Sequence, residues 1–249
     1  MKKLFYSLVL VLCFSCDSEN APDCFQTAGP IITEQRQVPE FSRILVNEGI
    51  ELIVKQDTEY TVKVETGENL MNDIDVKVEE GRLLLTDNNI CNFVRDYGIT
   101  TIYVTAPDLK EIRSSTQFDV RSDGVLSYPE FSVISEDFLN RSLQSVGNFY
   151  LEIDTETFRL VFNNLSNCFI KGKSQSINLQ FQSGNGRFEG ADLVAENATI
   201  FHRGTNDMII QVNNKVAGNI FGTGNIVLVK KPLEIEVIEH YRGRLIIRE

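Results

Sequence analysis

The chain contains no tryptophan, only two histidines and three methionines, and 24 lysines and arginines against 35 aspartates and glutamates. Each shortage removes something. Without tryptophan the commonest stacking surface for a sugar ring is gone, leaving tyrosine and phenylalanine to serve. His202 and His240 stand far apart and no cysteine pair has zinc-ligand spacing, so a transition-metal centre is hard to build. His202, on an apolar strand row, reads as a partly buried, hydrogen-bonded residue. Asp87-Asn88-Asn89 and Asn206-Asp207 offer oxygen ligands but match no calcium loop, and read as polar turns. A formal charge of −11 argues against nucleic acid as a partner. No Gly-x-Ser-x-Gly elbow occurs, neither Cys91 nor Cys168 has a histidine close in sequence, and no cofactor is implied. A long amphipathic helical pattern is also missing, which leaves strands as the building material.

What is present is a repeat. Leu160, Leu179, Ile200 and Ile220 are 19, 21 and 20 residues apart, and a second row runs half a period out of step through Ile170, Phe188, Ile210 and Leu228. Within the rows apolar residues alternate, as in Phe158, Leu160, Phe162 and Ile177, Leu179, Phe181, which turns one face of a strand inward. Between the rows lie Ser183-Gly184-Asn185-Gly186, Arg203-Gly204-Thr205-Asn206 and Gly222-Thr223-Gly224-Asn225, the composition of tight corners. Strands this short close a core only by stacking, so the period predicts a β-solenoid, a parallel β-helix, over residues 111–232, starting near Ile112. The period continues backwards less cleanly through Leu139 and Val120. A β-sandwich is the alternative that the same spacing allows.

The N-terminus has a different character. Lys2 and Lys3 precede the apolar run Leu4 to Phe14, which is too short to cross a bilayer and has the plan of a signal peptide over residues 1–15. Leu12-Cys13-Phe14-Ser15-Cys16 resembles a bacterial lipobox, with Cys16 as the lipidated new N-terminus, and Asp17-Ser18-Glu19-Asn20 resembles a signal for export to the outer face of an outer membrane. The expected location is therefore an outer-membrane lipoprotein at the cell surface, with the bilayer as a partner through the acylated N-terminus. A plain cleaved signal peptide is the alternative. Processing removes Lys2 and Lys3 and takes the formal charge from −11 to about −13.

Residues 16–35, with Pro22, Gly29 and Pro30, read as a tether. In an oxidising compartment two of Cys24, Cys91 and Cys168 can pair. Cys168 occupies an inward repeat position and reads as a packed thiol, so Cys24 and Cys91, both in polar non-repetitive surroundings, are expected to form the disulfide. Residues 36–110 alternate strictly in short segments from Ile44-Val46 to Ile102-Val104, as half-buried antiparallel strands do, with hairpins expected at Asp57-Thr58-Glu59 and at Glu79-Glu80-Gly81, the latter with a bulged turn. Glu68-Asn69-Leu70-Met71 has room for one helical turn. Residues 233–249 read as a terminal hairpin capping the open end of the stack.

Four stretches, Phe41-Ser-Arg-Ile-Leu-Val-Asn-Glu-Gly-Ile50, Val64-Glu-Thr-Gly-Glu-Asn-Leu70, Gly81-Arg-Leu-Leu-Leu85 and Val216-Ala-Gly-Asn-Ile-Phe-Gly-Thr-Gly-Asn-Ile226, resemble one family in their residues and their order. It is the head GIN domain lipoproteins, also described as putative auto-transporter adhesins. The resemblance covers roughly residues 36 to 248. It implies a right-handed parallel β-helix with an extra β layer and brings no catalytic residues. The family's repeated Gly-Ser-Gly-Asp corner occurs here only in altered forms, Gly184-Asn-Gly-Arg187 and Gly222-Thr-Gly-Asn225.

Two function classes follow. One is a surface-anchored, non-catalytic binding or structural module whose outward rows of Asn, Ser and Thr meet a cell-surface glycan or protein. The other is a glycan-active hydrolase or lyase on a β-helix, which requires two or three carboxylates, or a carboxylate with Arg, converging in a groove. The sequence leaves the oligomeric state open.

Overall fold

A computed structural model describes residues 23–89, 91–135 and 145–248. The signal peptide, Cys16 and Leu139 lie outside the described residues.

The fold is all-β, with helix confined among the described residues to two 3₁₀ turns, Asp23–Phe25 and Glu68–Asp73. The strands are β1 (Ile31–Arg36), β2 (Arg43–Val46), β3 (Ile50–Gln56), β4 (Thr61–Gly67), β5 (Ile74–Glu79), β6 (Arg82–Asp87), β7 (Thr100–Ala106), β8 (Glu111–Ser114), β9 (Val120–Leu126), β10 (Glu130–Ser135), β11 (Phe149–Phe162), β12 (Cys168–Phe181), β13 (Phe188–His202), β14 (Met208–Ile220), β15 (Ile226–Leu228), β16 (Glu234–Glu239) and β17 (Leu245–Ile247). They form one mixed sheet that nearly closes on itself around a continuous apolar core.

Two ladders make up the sheet, and the long strands β11 to β14 belong to both. The first half of β11 pairs with β9 and its second half with β10, in each case in parallel. Successive long strands then pair in parallel, so Phe158, Ile177, Ala198 and Val216 stack in one column and Leu160, Leu179, Ile200 and Gly218 in another. Alternate residues point inward and are fully buried, Leu160, Leu179 and Phe181 among them. Each buried aliphatic or aromatic side chain contributes about 1.5–3 kcal/mol.

The inward face matches the sequence pattern, whereas the row register is off by one pleat in three places. Ile200 pairs with Gly218, not Ile220, and Phe188 lies beside Cys168, not Ile170, on one side and beside Met208, not Ile210, on the other. Bulges between Phe169 and Lys171, between Gly190 and Val194 and between Ala195 and Asn197 absorb the extra residues. A two-residue slip leaves the inward face unchanged because a strand repeats every two residues. Gly218 has room for no side chain: a Cβ would stand 2.0 Å from the Ile200 carbonyl oxygen, at φ +147.

Parallel pairing begins well before Ile112. β2 pairs in parallel with β6 and β8, and β3 with β7 and β9. These segments were expected to be antiparallel. The hairpin expected at Asp57–Glu59 does not form, because both edges of β3 are taken and β4 instead pairs antiparallel with β7. The β5–β6 hairpin does form, with Glu79 opposite Arg82. Its turn is a two-residue one through Glu80 and Gly81, both at positive φ, and not the bulged form. β1, within the expected tether, pairs antiparallel with β4. The terminal hairpin is likewise replaced: β16 extends one ladder from β14 and β17 the other from β15, both in parallel. A hairpin would have left one of those edges bare.

Corners stack as closely as strands. A Cβ on Gly222 would stand 2.0 Å from the Gly204 carbonyl oxygen, so the corner backbones pass in near contact. Side chains tie one corner to the next: Asn167 Nδ2 donates to Asn148 Oδ1 at 2.9 Å, and the backbone N–H and Nδ2 of Asn225 both donate to Asp207 Oδ1 at 2.9 and 3.0 Å.

His202 departs from its expected setting. It is fully buried between Phe181 and Ile220 in its column, edge-on to the Phe181 ring at 5.5 Å, and neither ring nitrogen makes a hydrogen bond among the described residues. Burial lowers its pKa to about 4, against a weaker opposing pull from the nearby Asn206 backbone and the Asp207 carboxylate. The folded-state pKa lies below the unfolded value of about 6.5, so the contribution is fully present above pH 6.5 and is lost as pH falls toward 4. The loss amounts to roughly 3 kcal/mol. Replacing His202 with Phe continues the ring column from Phe162 and Phe181 and should flatten this slope; urea midpoints at pH 7 and pH 4.5 that fall equally in both proteins would contradict it.

Candidate functional site

The outward face of the first halves of β11, β12 and β13 carries the described residues best arranged for recognition. Tyr150, Glu152 and Asp154 alternate outward from β11. Phe169, Lys171 and Lys173 stand directly opposite them on β12, in register. The rows are chemically matched. Tyr150 stacks on Phe169 with centroids 5.0 Å apart and planes 8° from parallel, and the Arg121 guanidinium covers the other side of Tyr150 at 4.2 Å. Glu152 pairs with Lys171 at 3.0 Å and Asp154 with Lys173 at 3.1 Å. Asp192 on β13 continues the Glu152–Lys171 row. Arg121 is itself held by Glu51 at 3.0 Å and Asp119 at 2.5 Å.

Two grooves flank these rows. One, of about 440 Å³, lies between Ser122, Tyr150, Phe169 and Asp192. The other, of about 840 Å³, follows the middle of the long strands, where Glu152, Asp154, Glu156 and Glu196 meet Lys173 and Gln175. Glu196 accepts a hydrogen bond from Asn213 Nδ2 at 3.0 Å. Carboxylates therefore do gather in a groove, which the expected rows of Asn, Ser and Thr did not foresee. Outward Asn, Gln and Thr do occur, on the second halves of the strands, as at Asn178 and Gln180 on β12 and Thr199 on β13. Exposed ion pairs of this kind contribute little to stability, about 0–1 kcal/mol. Their chemical effect is to leave a polar, charge-balanced surface with an aromatic step at one side.

Of the residues singled out in the sequence, Cys24 and Cys91 are joined in a disulfide, 4.4 Å apart at Cα. Cys168 is a buried free thiol whose pKa burial pushes upward, in keeping with a packed core residue. The groove residues were missed, although a signal existed. Tyr150 and Phe169, Glu152 and Lys171, and Asp154 and Lys173 are each 19 residues apart, so three consecutive outward positions repeat with complementary chemistry.

Residues 40–232 match the family model described as "Putative auto-transporter adhesin, head GIN domain". Among solved structures, a "putative adhesin" from Bacteroides fragilis superposes with a TM-score of 0.78 at 17% identity, covering 89% of this chain and 99% of its own. A "putative adhesin" from Parabacteroides merdae gives 0.63 at 15% identity, covering 89% and 97%. A "putative lipid binding protein" from Parabacteroides distasonis gives 0.61 at 16% identity, covering 89% and 98%. At these identities the likeness establishes the fold. No curated protein matches the chain.

Proposed function

The chain belongs to the head GIN domain family of putative auto-transporter adhesins, and from that premise we propose that it is a surface-anchored lipoprotein whose stacked β body binds a cell-surface glycan or protein without transforming it. In this reading residues 1–15 are removed, Cys16 carries the acyl chains, residues 16–35 form the tether, and the body is a right-handed parallel β-helix. The N-terminal strands over 36–110 add a β layer, and 233–249 form its last turn. The location is the outer face of an outer membrane.

The observation that carries the reading is the pairing of the outward rows. A glycosidase keeps one carboxylic acid protonated and a second carboxylate free to attack or to activate water. Glu152 and Asp154 instead each hold a lysine of the adjacent strand at 3.0 and 3.1 Å. A shallow surface of paired charges beside the Tyr150–Phe169 step suits weak polar contacts. Many tethered copies gain avidity from such contacts without any new one. The hydrolase or lyase reading rests on Glu156 and Glu196 in the larger groove and is kept as the alternative.

Two measurements test the proposal. Cys16→Ser should move the protein from the membrane to the soluble fraction, since stable anchoring requires more than one acyl chain's worth of apolar burial; unchanged partitioning into detergent would refute the anchor. On arrays of cell-surface glycans and matrix proteins, the wild type should give weak saturable binding that Phe169→Ala and Lys171→Glu reduce. Equal binding by both variants would place the contact elsewhere.

A further inference from the structure

At the opposite end of the stack from β17, residues 91–98, which precede β7, form a tightly hydrogen-bonded knuckle. The disulfide joins it to the first described turn of the chain. Arg95 then locks it: Nη1 donates to the carbonyls of Asp23 and Gln26 at 2.6 and 3.1 Å, and Nη2 to those of Asn89 and Cys91 at 3.2 and 3.0 Å. The Phe93 N–H donates to the Cys24 carbonyl at 2.9 Å, and the Asn92 side chain bonds the backbone of Arg95 in both directions. A loop held so firmly would be expected to bury its apolar residues. It presents them instead: Phe93 is 74% exposed, Tyr97 77%, Phe25 53% and Val94 51%, with the Phe25 and Phe93 rings 5.9 Å apart.

The position of this patch indicates what covers it. Six residues separate Cys16 from Asp23. Such a link spans at most about 25 Å fully extended, and about 15 Å as a flexible coil. The far corner at Tyr241 is eight strand spacings along the ladder, about 38 Å away. An anchored Cys16 therefore brings the knuckle, and not the far corner, against the bilayer. Phe and Tyr on a polar, hydrogen-bonded base suit the headgroup boundary, where aromatic rings concentrate. The flanking Asp23 and Asp96 keep the depth shallow and favour a zwitterionic surface.

We infer that the disulfide-locked knuckle of Phe25, Phe93, Val94 and Tyr97 is a second membrane contact, which inserts at the lipid interface and fixes the orientation of the tethered body. The inference rests on the anchor proposed for Cys16.

The absence of tryptophan makes the test clean. Full-length lipidated protein carrying Phe93→Trp, Tyr97→Trp or, as reference, Tyr241→Trp is reconstituted into phosphatidylcholine vesicles containing acyl-brominated lipid, with flotation and the mass at Cys16 measured on the same samples. The expected result is a blue shift and strong quenching for Phe93→Trp and Tyr97→Trp, and neither for Tyr241→Trp. If the protein floats with acylated Cys16 but all three variants are quenched alike, the knuckle contact is wrong while the anchor stands. A blue shift that persists without vesicles in a dimeric protein assigns the patch to a second copy and likewise overturns the inference. Protein that neither floats nor carries acyl mass refutes the anchor, and the knuckle contact with it.

Discussion

Leu179→Asp is expected to abolish cooperative folding. Leu179 is fully buried, at 0% exposure, with Leu160 on one side of it and Ile200 on the other in the parallel ladder. The substitution forfeits about 2–3 kcal/mol of apolar burial. It also leaves a carboxylate between stacked strands with no partner, at several kcal/mol more. Against a total stability of about 5–15 kcal/mol, that sum removes most or all of the native population. Leu179→Ala is the graded control, with an expected loss of about 2–5 kcal/mol. Urea unfolding followed by far-ultraviolet circular dichroism would check both; a sharp transition for Leu179→Asp near the wild-type midpoint would contradict the inward placement.

Removing the disulfide is the second large effect. Cys24 and Cys91 are 67 residues apart, and closing a loop of that length is worth about 4 kcal/mol in the chain-entropy model, with measured gains usually smaller. The double variant Cys24→Ser/Cys91→Ser also releases the N-terminal turn that supplies two of the carbonyls around Arg95. Its urea midpoint should therefore fall below that of the oxidised wild type. Reductant should shift the wild type by the same amount and leave the variant unchanged. A variant as stable as the wild type would mean that Arg95 and β1 hold the segment without the bond.

The alternation of Phe158, Leu160 and Phe162, or Ile177, Leu179 and Phe181, was enough to assign the buried face, because burial follows a period of two whatever the strand's partner. Partners were less legible. Parallel pairing joins residues about twenty apart or more, and nothing local to β3 announces that β7 and β9 already occupy both its edges. The close spacing of β3 and β4 suggested a hairpin for the same reason that β5 and β6 form one, and only the stacking context separates the two cases. Row phase was lost where bulges inserted residues between Gly190 and Val194. Of the outward face, the Glu152–Lys171 and Asp154–Lys173 pairs were written in the 19-residue spacing, but their use as a charge-balanced surface depends on the register. The burial of His202 was not legible because sequence gives a column and not its packing: Phe181 on one side and Ile220 on the other close over the ring.

The central claim is that this body binds without chemistry, and the direct measurement is product analysis. Purified protein is incubated with acidic and neutral cell-surface glycans that it binds, and the glycans are recovered and weighed by mass spectrometry. The account predicts glycans of unchanged mass, for the wild type and for Glu156→Gln and Glu196→Gln alike. Shortened or unsaturated products that appear with the wild type and disappear with either substitution would contradict it and establish a glycan-cleaving enzyme in the groove.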